Sequence, residues 1–128
     1  MNEHDGRSPS LQVFRGEERI FSHTGNWLHP LFALESFLEE ENIPPGDLNL
    51  RDRIIGKAAA VLILRMGIRR VYGELMSDLG AEYLTAHGAE TGWGRRVPRI
   101  ACRTEELLEQ MEDPEAAYAE LRRRAGLA

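Results

Sequence analysis

The sequence predicts an α/β fold in a single domain. Three observations carry that expectation. The chain has 128 residues, the size of one hydrophobic core. It opens with two short apolar runs around a glycine-containing turn, the pattern of a β-hairpin. From residue 48 onward, strand-like and helix-like stretches alternate, and strand–helix–strand succession implies a right-handed crossover with parallel pairing.

In chain order, residues 1–10 read as a disordered leader, polar and ending in Ser8-Pro9-Ser10, with residues 11–128 forming the domain. Leu11 to Phe14 and Arg19 to Phe21 flank Arg15-Gly16-Glu17-Glu18 as the hairpin. Thr24-Gly25-Asn26 is a turn, and Pro30 suits the first turn of a helix. Leu31, Leu34, Phe37 and Leu38 recur at helical spacing, and Asn42 with Pro44-Pro45-Gly46 stops that helix. Leu48 and Leu50 suggest a short strand ending at Asp52, which is placed to cap a helix over 53–66 closed by Gly67. That helix is apolar almost all round and should be buried. Arg70 to Leu75 reads as the next strand, Ser77 or Asp78 as the cap of a helix through His87, and Gly88 as its end. Ala89 to Trp93 suggests a strand, Gly94 to Arg99 a loop, and Thr104 to Met111 a helix; Asp113-Pro114-Glu115 begins the last helix.

Composition narrows the function classes. With 42% hydrophobic and 29% charged residues, the chain has an ordinary globular balance. No apolar run approaches the ~20 residues that cross a bilayer, and the polar, acidic start does not resemble a signal peptide. A lone cysteine, Cys102, fits a reducing compartment, so a cytoplasmic location without membrane association is expected. A net charge of −5 disfavours nucleic acid as partner, although Arg95, Arg96, Arg99 and Arg103 follow Trp93 closely enough to suggest an anion-binding edge. The terminal Arg122-Arg123-Arg124 matches the helix dipole and carries no function.

Among 16 basic residues only Lys57 is a lysine. Where a positive charge alone is needed this chain uses arginine, so Lys57 marks a place that needs a compact amine. In open α/β sheets ligands bind beyond the carboxyl ends of the strands, near helix N-termini. Those ends fall at residues 52–57 and 77–79. Lys57 and Asp52 are therefore the catalytic candidates, and Gly56, Ser77, Asp78 and Cys102 the ligand-binding ones. Lys57 is expected about one turn into its helix, with its amine at the mouth of the crevice. The bland alternatives are a structural lysine, a simple cap at Asp52, a packing glycine at Gly56 and an inert buried thiol at Cys102. His4, His23, His29 and His87 lack metal-ligand spacing, and no phosphate-loop or nucleophile-elbow motif occurs, so neither metal nor cofactor is expected.

Asp52-Arg53-Ile54-Ile55-Gly56-Lys57-Ala58-Ala59-Ala60 resembles the domain-of-unknown-function family numbered 1893. The likeness extends over most of residues 11–125, through the hairpin, Gly25, Pro30-Leu31 and Asp113 to Tyr118. Cys102 looks like a cysteine the family often carries before its penultimate helix, whereas Arg103 and Thr104 depart from the proline and methionine expected after it. The resemblance implies a cytidine-deaminase-like fold, a three-layer α/β/α sandwich with a mixed sheet. It does not imply deamination. Zinc deaminases place His or Cys and then Glu at one helix start and a PCxxC at the next, and residues 53–57 and 77–79 contain no His, Cys or Glu. The leading expectation is a small-molecule-binding domain, or a metal-independent enzyme, holding an anionic or carbonyl metabolite over Lys57. The alternative is a non-catalytic interaction or assembly module that forms a homo-oligomer.

Overall fold

The computed structural model describes residues 9–100 and 113–127. Most of the expected leader, Cys102 and the helix expected at 104–111 lie outside the described residues. Strands β1 (Leu11–Arg15) and β2 (Glu18–His23) form the hairpin. Helix α1 (His29–Glu41) follows, then β3 (Leu48–Ile55), α2 (Lys57–Met66), β4 (Arg70–Ser77), α3 (Asp78–Ala86), β5 (Glu90–Val97) and α4 (Pro114–Arg124). The five strands make one mixed sheet in the order β2-β1-β3-β4-β5. β1 is antiparallel to both β2 and β3, whereas β3–β4 and β4–β5 are parallel. Each parallel pair is joined through a helix, the connection that such pairing requires.

Several local signals act as their chemistry predicts. Pro30 stands in the first turn of α1, and Asn42 ends that helix in a left-handed conformation. Gly67 closes α2 at φ 97°, where a Cβ would in addition lie 2.8 Å from the Pro45 ring. Ser77 caps α3 by accepting a hydrogen bond from Gly80 N, and Asp113 caps α4 by accepting one from Glu115 N. Six consecutive residues of α2, Ala58 to Ile63, are buried, as its all-round apolar character requires. The core joins them to Leu11 and Val13 of β1, Leu31 and Leu34 of α1, Leu48 and Leu50 of β3, and Leu121 of α4.

Helix α2 is the hub. It touches α1, α3 and α4, which gathers these helices on one side of the sheet, so the described residues form two layers and not the three-layer α/β/α sandwich expected. On the other side, Phe14, Asn49, Arg51 and Tyr72 line a shallow trough, with the Arg51 guanidinium 4.4 Å above the Tyr72 ring. No helix among the described residues is long and apolar enough to cross a membrane.

Two boundaries correct the sequence reading. β3 runs on to Ile55, so Asp52 is a mid-strand residue opposite Leu11 of β1 and Gly73 of β4, not a helix cap. The cap position belongs to Gly56, and Lys57 is the first residue of α2, not one turn inside it. The cause is a slip in the pleat. Leu48 and Leu50 are buried, Arg51, Arg53 and Ile54 are exposed, and Ile55 is buried again, so the inside–outside alternation shifts by one beside Asp52. β4 shifts in step, from Val71 and Gly73 to Met76. A strand whose period breaks, followed by an apolar run, imitates the start of a helix. The second correction is β5, which continues through Gly94 to Val97 where a loop was expected. Gly92 and Gly94 weaken strand propensity, but the Tyr72 side chain lies against both positions and occupies the room that Cβ atoms would need.

Candidate functional site

A cavity of about 230 Å³ opens beyond the carboxyl end of β3. Its wall combines Asp52, Arg53 and Ile54 of β3, the α2 start from Gly56 to Ala59, and the turn from Gly25 to Leu28 that leads into α1; Ser10 and Ile100 complete it. Three of the candidate residues, Asp52, Gly56 and Lys57, thus share one site. Ser77 and Asp78 lie outside its wall. Ser77 is fully buried as the α3 cap, and Asp78 holds the Arg96 guanidinium at 2.6 Å. Arg96 also stands 5.0 Å from the Trp93 ring centroid, so the aromatic–arginine pair noted in the sequence is tied to α3. Cys102 lies outside the described residues.

The α2 and α3 starts do come together, as adjacent parallel strands require. A Cβ at Gly80 would lie 3.1 Å from Gly56 C and O and Ile55 O, so the two segments meet backbone to backbone. The cavity lies on the other flank of α2, toward α1. Gly25 is legible in the sequence only as part of a turn, and its partnership with α2 is not. The only signal there was a tryptophan following a tight turn and preceding a helix-initiating proline.

Local hydrogen bonds fix that turn. Gly25 N donates to His23 Nδ1 at 2.9 Å, and Ser10 Oγ donates to the carbonyls of Gly25 at 2.8 Å and His23 at 3.1 Å. Ser10, assigned to the leader by the sequence, is therefore built into the site. His23 acts as a clip, and His29 meets the Trp27 ring edge-on at 5.5 Å; neither lines the cavity.

Four features around the cavity run against the preferences of a stable fold. The first is a missing cap: α1 and α2, whose starts border the cavity, have no capping side chain and no acidic residue in the first turn. α3 and α4, which start elsewhere, have both. The N-cap residue of α2, Gly56, has no side chain to accept from the first N–H groups of the helix, and this start forms part of the cavity wall. The second is Lys57, a cation at the positive end of the α2 dipole, unfavourable by about 0.3–1 kcal/mol. Its Nζ lies 5.9 Å from the Tyr83 ring centroid. The third is Trp27, held at φ 58°. A left-handed backbone costs a residue with a side chain about 1–2 kcal/mol, and Trp27 recovers little by burial, being 39% exposed beside a Leu28 that is 6% exposed.

The fourth is Asp52. Burial pushes its carboxyl up to about 7, against the opposing pull of the Arg53 and Ile54 backbone N–H groups and the Arg53 guanidinium; Glu74 adds a smaller upward push. A carboxyl poised there can donate a proton or accept one near neutral pH. Such violations of local preference concentrate where a protein has a use for them. Here all four border one cavity, although the Lys57 amine is directed toward Tyr83 of α3.

A family profile described as TM1506, domain of unknown function (DUF1893), matches residues 10–124. Among solved structures, the crystal structure of the DUF1893 family protein TM1506 from Thermotoga maritima is similar in fold. The superposition gives a TM-score of 0.78 at 20% identity and covers 96% of this chain and 83% of that one. No curated protein matches this sequence.

Proposed function

The chain belongs to the DUF1893 family, and from that premise we propose that it is a small-molecule-binding domain whose ligand occupies the cavity between β3, α2 and the Gly25–Leu28 turn. The observation that carries the proposal is the convergence on one half-open cavity of a helix start without a capping side chain at Gly56, Lys57 and the half-buried Asp52 carboxyl. The helix N–H groups and the Lys57 amine suit an anionic or carbonyl oxygen. Asp52 in its neutral form donates to the same kind of acceptor, and as a carboxylate it can take a proton from a bound metabolite. At about 230 Å³ the space is smaller than the ~300–1,000 Å³ of most ligand pockets, which favours a compact metabolite over a nucleotide.

We also read the fold as cytidine-deaminase-like with its metal chemistry replaced. The zinc deaminases carry their ligands at consecutive helix starts. In this chain the corresponding helix starts are those of α2 and α3, and the residues there are Gly56, Lys57, Ser77 and Asp78. With no histidine, cysteine or glutamate among them, they do not supply a zinc deaminase's ligand set. The carbonyl of a bound metabolite would instead be polarised by the helix start, Lys57 and Asp52.

The test is thermal denaturation of wild type and Lys57→Met against small carboxylic acids, keto acids and sugar phosphates. A ligand present at a hundred times its Kd adds about 2.7 kcal/mol, which raises the melting point. The expected result is a rise in wild type that shrinks or disappears in Lys57→Met. A flat response of the wild type to every compound would end this reading and turn attention to assembly with other chains.

A further inference from the structure

We infer that the sheet face opposite the helices is a platform for single-stranded nucleic acid, with a base stacked on the Arg51–Tyr72 pair and phosphates held by the arginines around it. This is a second surface, and it does not depend on the cavity beyond β3.

Strand alternation turns Leu48 and Leu50 into the core and places Asn49, Arg51 and Arg53 on the opposite face. Phe14 of β1 is the register partner of Asn49, and Arg70 and Tyr72 of β4 are the partners of Asn49 and Arg51. Arg19 joins them from β2 through its hydrogen bond to Gln12 Oε1 at 3.2 Å. The face is open to solvent: the Arg51 and Arg70 side chains are each 49% exposed, Glu74 54% and Glu90 78%. Across it runs a trough of about 390 Å³, large enough for one nucleotide unit and lined by Phe14, Asn49, Arg51, Arg70 and Tyr72.

The shape of this face suits a base. Cβ atoms at Gly92 and Gly94 would come within 3.2 Å of Tyr72 Cδ1 and 3.0 Å of Tyr72 Oη, so the ring lies along β5 where side chains are missing. The Arg51 guanidinium stands 4.4 Å over that ring. A guanidinium plane so placed is a flat cation, and unstacked bases pack on such planes as they do on aromatic rings. Phe14 is half-buried on the side turned away from the core and supplies a second ring to the same trough.

Charge names the occupant. Arg19, Arg51, Arg53 and Arg70 stand against Glu74 and Glu90, so among the described residues this face carries two positive charges in excess, within a chain of net charge −5. At physiological salt, charges farther than about 8 Å are screened, so the local excess governs what docks. The glutamates do not cancel it. Glu74 lies 3.9 Å from Arg51 and Glu90 3.2 Å from Arg70, both in solvent, and exposed pairs of this kind are weak enough for a phosphate to replace. A second copy of the chain is the poorer fit: a two-fold contact would set arginine against arginine, and interface centres are depleted of charge. The arginine run after Trp93 is not part of this surface, since Arg96 is held by Asp78 of α3.

The test is fluorescence anisotropy of a labelled oligodeoxythymidylate of roughly 12 nucleotides titrated with the full chain. The single strand should bind at 50 mM salt and weaken about 20- to 50-fold by 200 mM, the dependence expected when three or four phosphates are neutralised. The same sequence as a duplex, whose bases are not free to stack, should bind at least tenfold more weakly. Arg51→Gln should weaken the single strand about tenfold and flatten the salt dependence, whereas Tyr72→Leu should weaken it at an unchanged salt slope. No binding at 50 mM salt, equal binding of the duplex, or competition by polyglutamate as effective as by unlabelled oligonucleotide overturns the inference. So does Arg51→Gln that binds like wild type, or a dimer in sedimentation that Arg51→Gln dissociates, which would give the face to a second copy. Should Tyr72→Leu melt well below wild type, Phe14→Leu decides: it must lower affinity at an unchanged salt slope, and unaltered affinity there overturns the inference.

Discussion

The two ends of helix α2 are built on opposite terms. At its last turn, Arg65 meets the Glu35 carboxylate of α1 and the Glu115 carboxylate of α4, each at 3.1 Å, and its guanidinium lies 3.5 Å above the Tyr118 ring. Tyr118 Oη in turn donates to Glu35 at 2.8 Å, and burial together with that hydrogen bond pushes its phenol up. The glycine cap at 67 and the basic residue in the last turn complete an end at which the chain itself answers each polar demand. At the first turn there is no side-chain cap, the charge opposes the dipole, and a half-buried carboxyl and a strained tryptophan stand nearby. The same ten residues thus show what this sequence does when stability alone is at stake, and what it forgoes at the cavity. The difference lies in what α2 faces.

The largest expected effect comes from Asp52. Its carboxyl is raised to about 7 in the fold, from about 3.9 in an unfolded chain. Between those values the folded state holds the extra proton, so its contribution to stability is fully present below pH 4 and is lost as pH rises through 7. Compared with Asp52→Asn, the wild type should lose about 2–4 kcal/mol between pH 4 and pH 8, and urea denaturation at several pH values measures this. Parallel stability curves for the two proteins would show that the carboxyl is solvated after all. Ligand affinity should follow the same proton: an acid bound by neutral Asp52 weakens above pH 7, up to tenfold per pH unit.

Next is Gly80→Val, which forces side-chain atoms against the Gly56 backbone. Overpacking of this kind costs about 1–3 kcal/mol, and the damage should reach ligand binding, because Gly56 borders the cavity. Arg65→Met tests the other end of the helix. It removes the shared partner of Glu35 and Glu115 and should cost about 1–2 kcal/mol, given that Glu35 is only 14% exposed. Binding should be untouched, which separates the two ends. The smallest change in stability is expected for Lys57→Met, within about 0.5 kcal/mol of wild type, since relief of the dipole conflict offsets lost contacts. A large loss of stability in that variant would move Lys57 to the structural side of the comparison.

The satisfied parts of the molecule were also the legible ones. Gly67, Asn42, Ser77 and Asp113 announce their roles because each ends or starts a helix through a local hydrogen bond that depends on near neighbours. The hairpin and the buried α2 follow equally well from local period and composition. Legibility fails at Asp52, where the pleat slips and an aspartate before apolar residues imitates a cap. It fails again along Gly94 to Val97, where pairing with β4 overrides weak propensity. Lys57 stood out by being alone of its kind, and Asp52 was named as a carboxylate, though its mid-strand burial depends on β1 and β4 folding on either side. Trp27 was missed altogether. Its meeting with residues 52–59 is made by the whole sheet, and no spacing in the chain encodes it.

Gly80 has one more consequence. Because α3 rests on Gly56 through main-chain atoms, the start of α2 has no side-chain layer behind it that could be thinned to let the helix retreat. Descendants of this sequence that adapt to a bulkier or smaller ligand cannot do so by shifting that helix. Their freedom lies in the two methyl groups of Ala58 and Ala59 and in the turn from Gly25 to Leu28, and changes of ligand should be written there first.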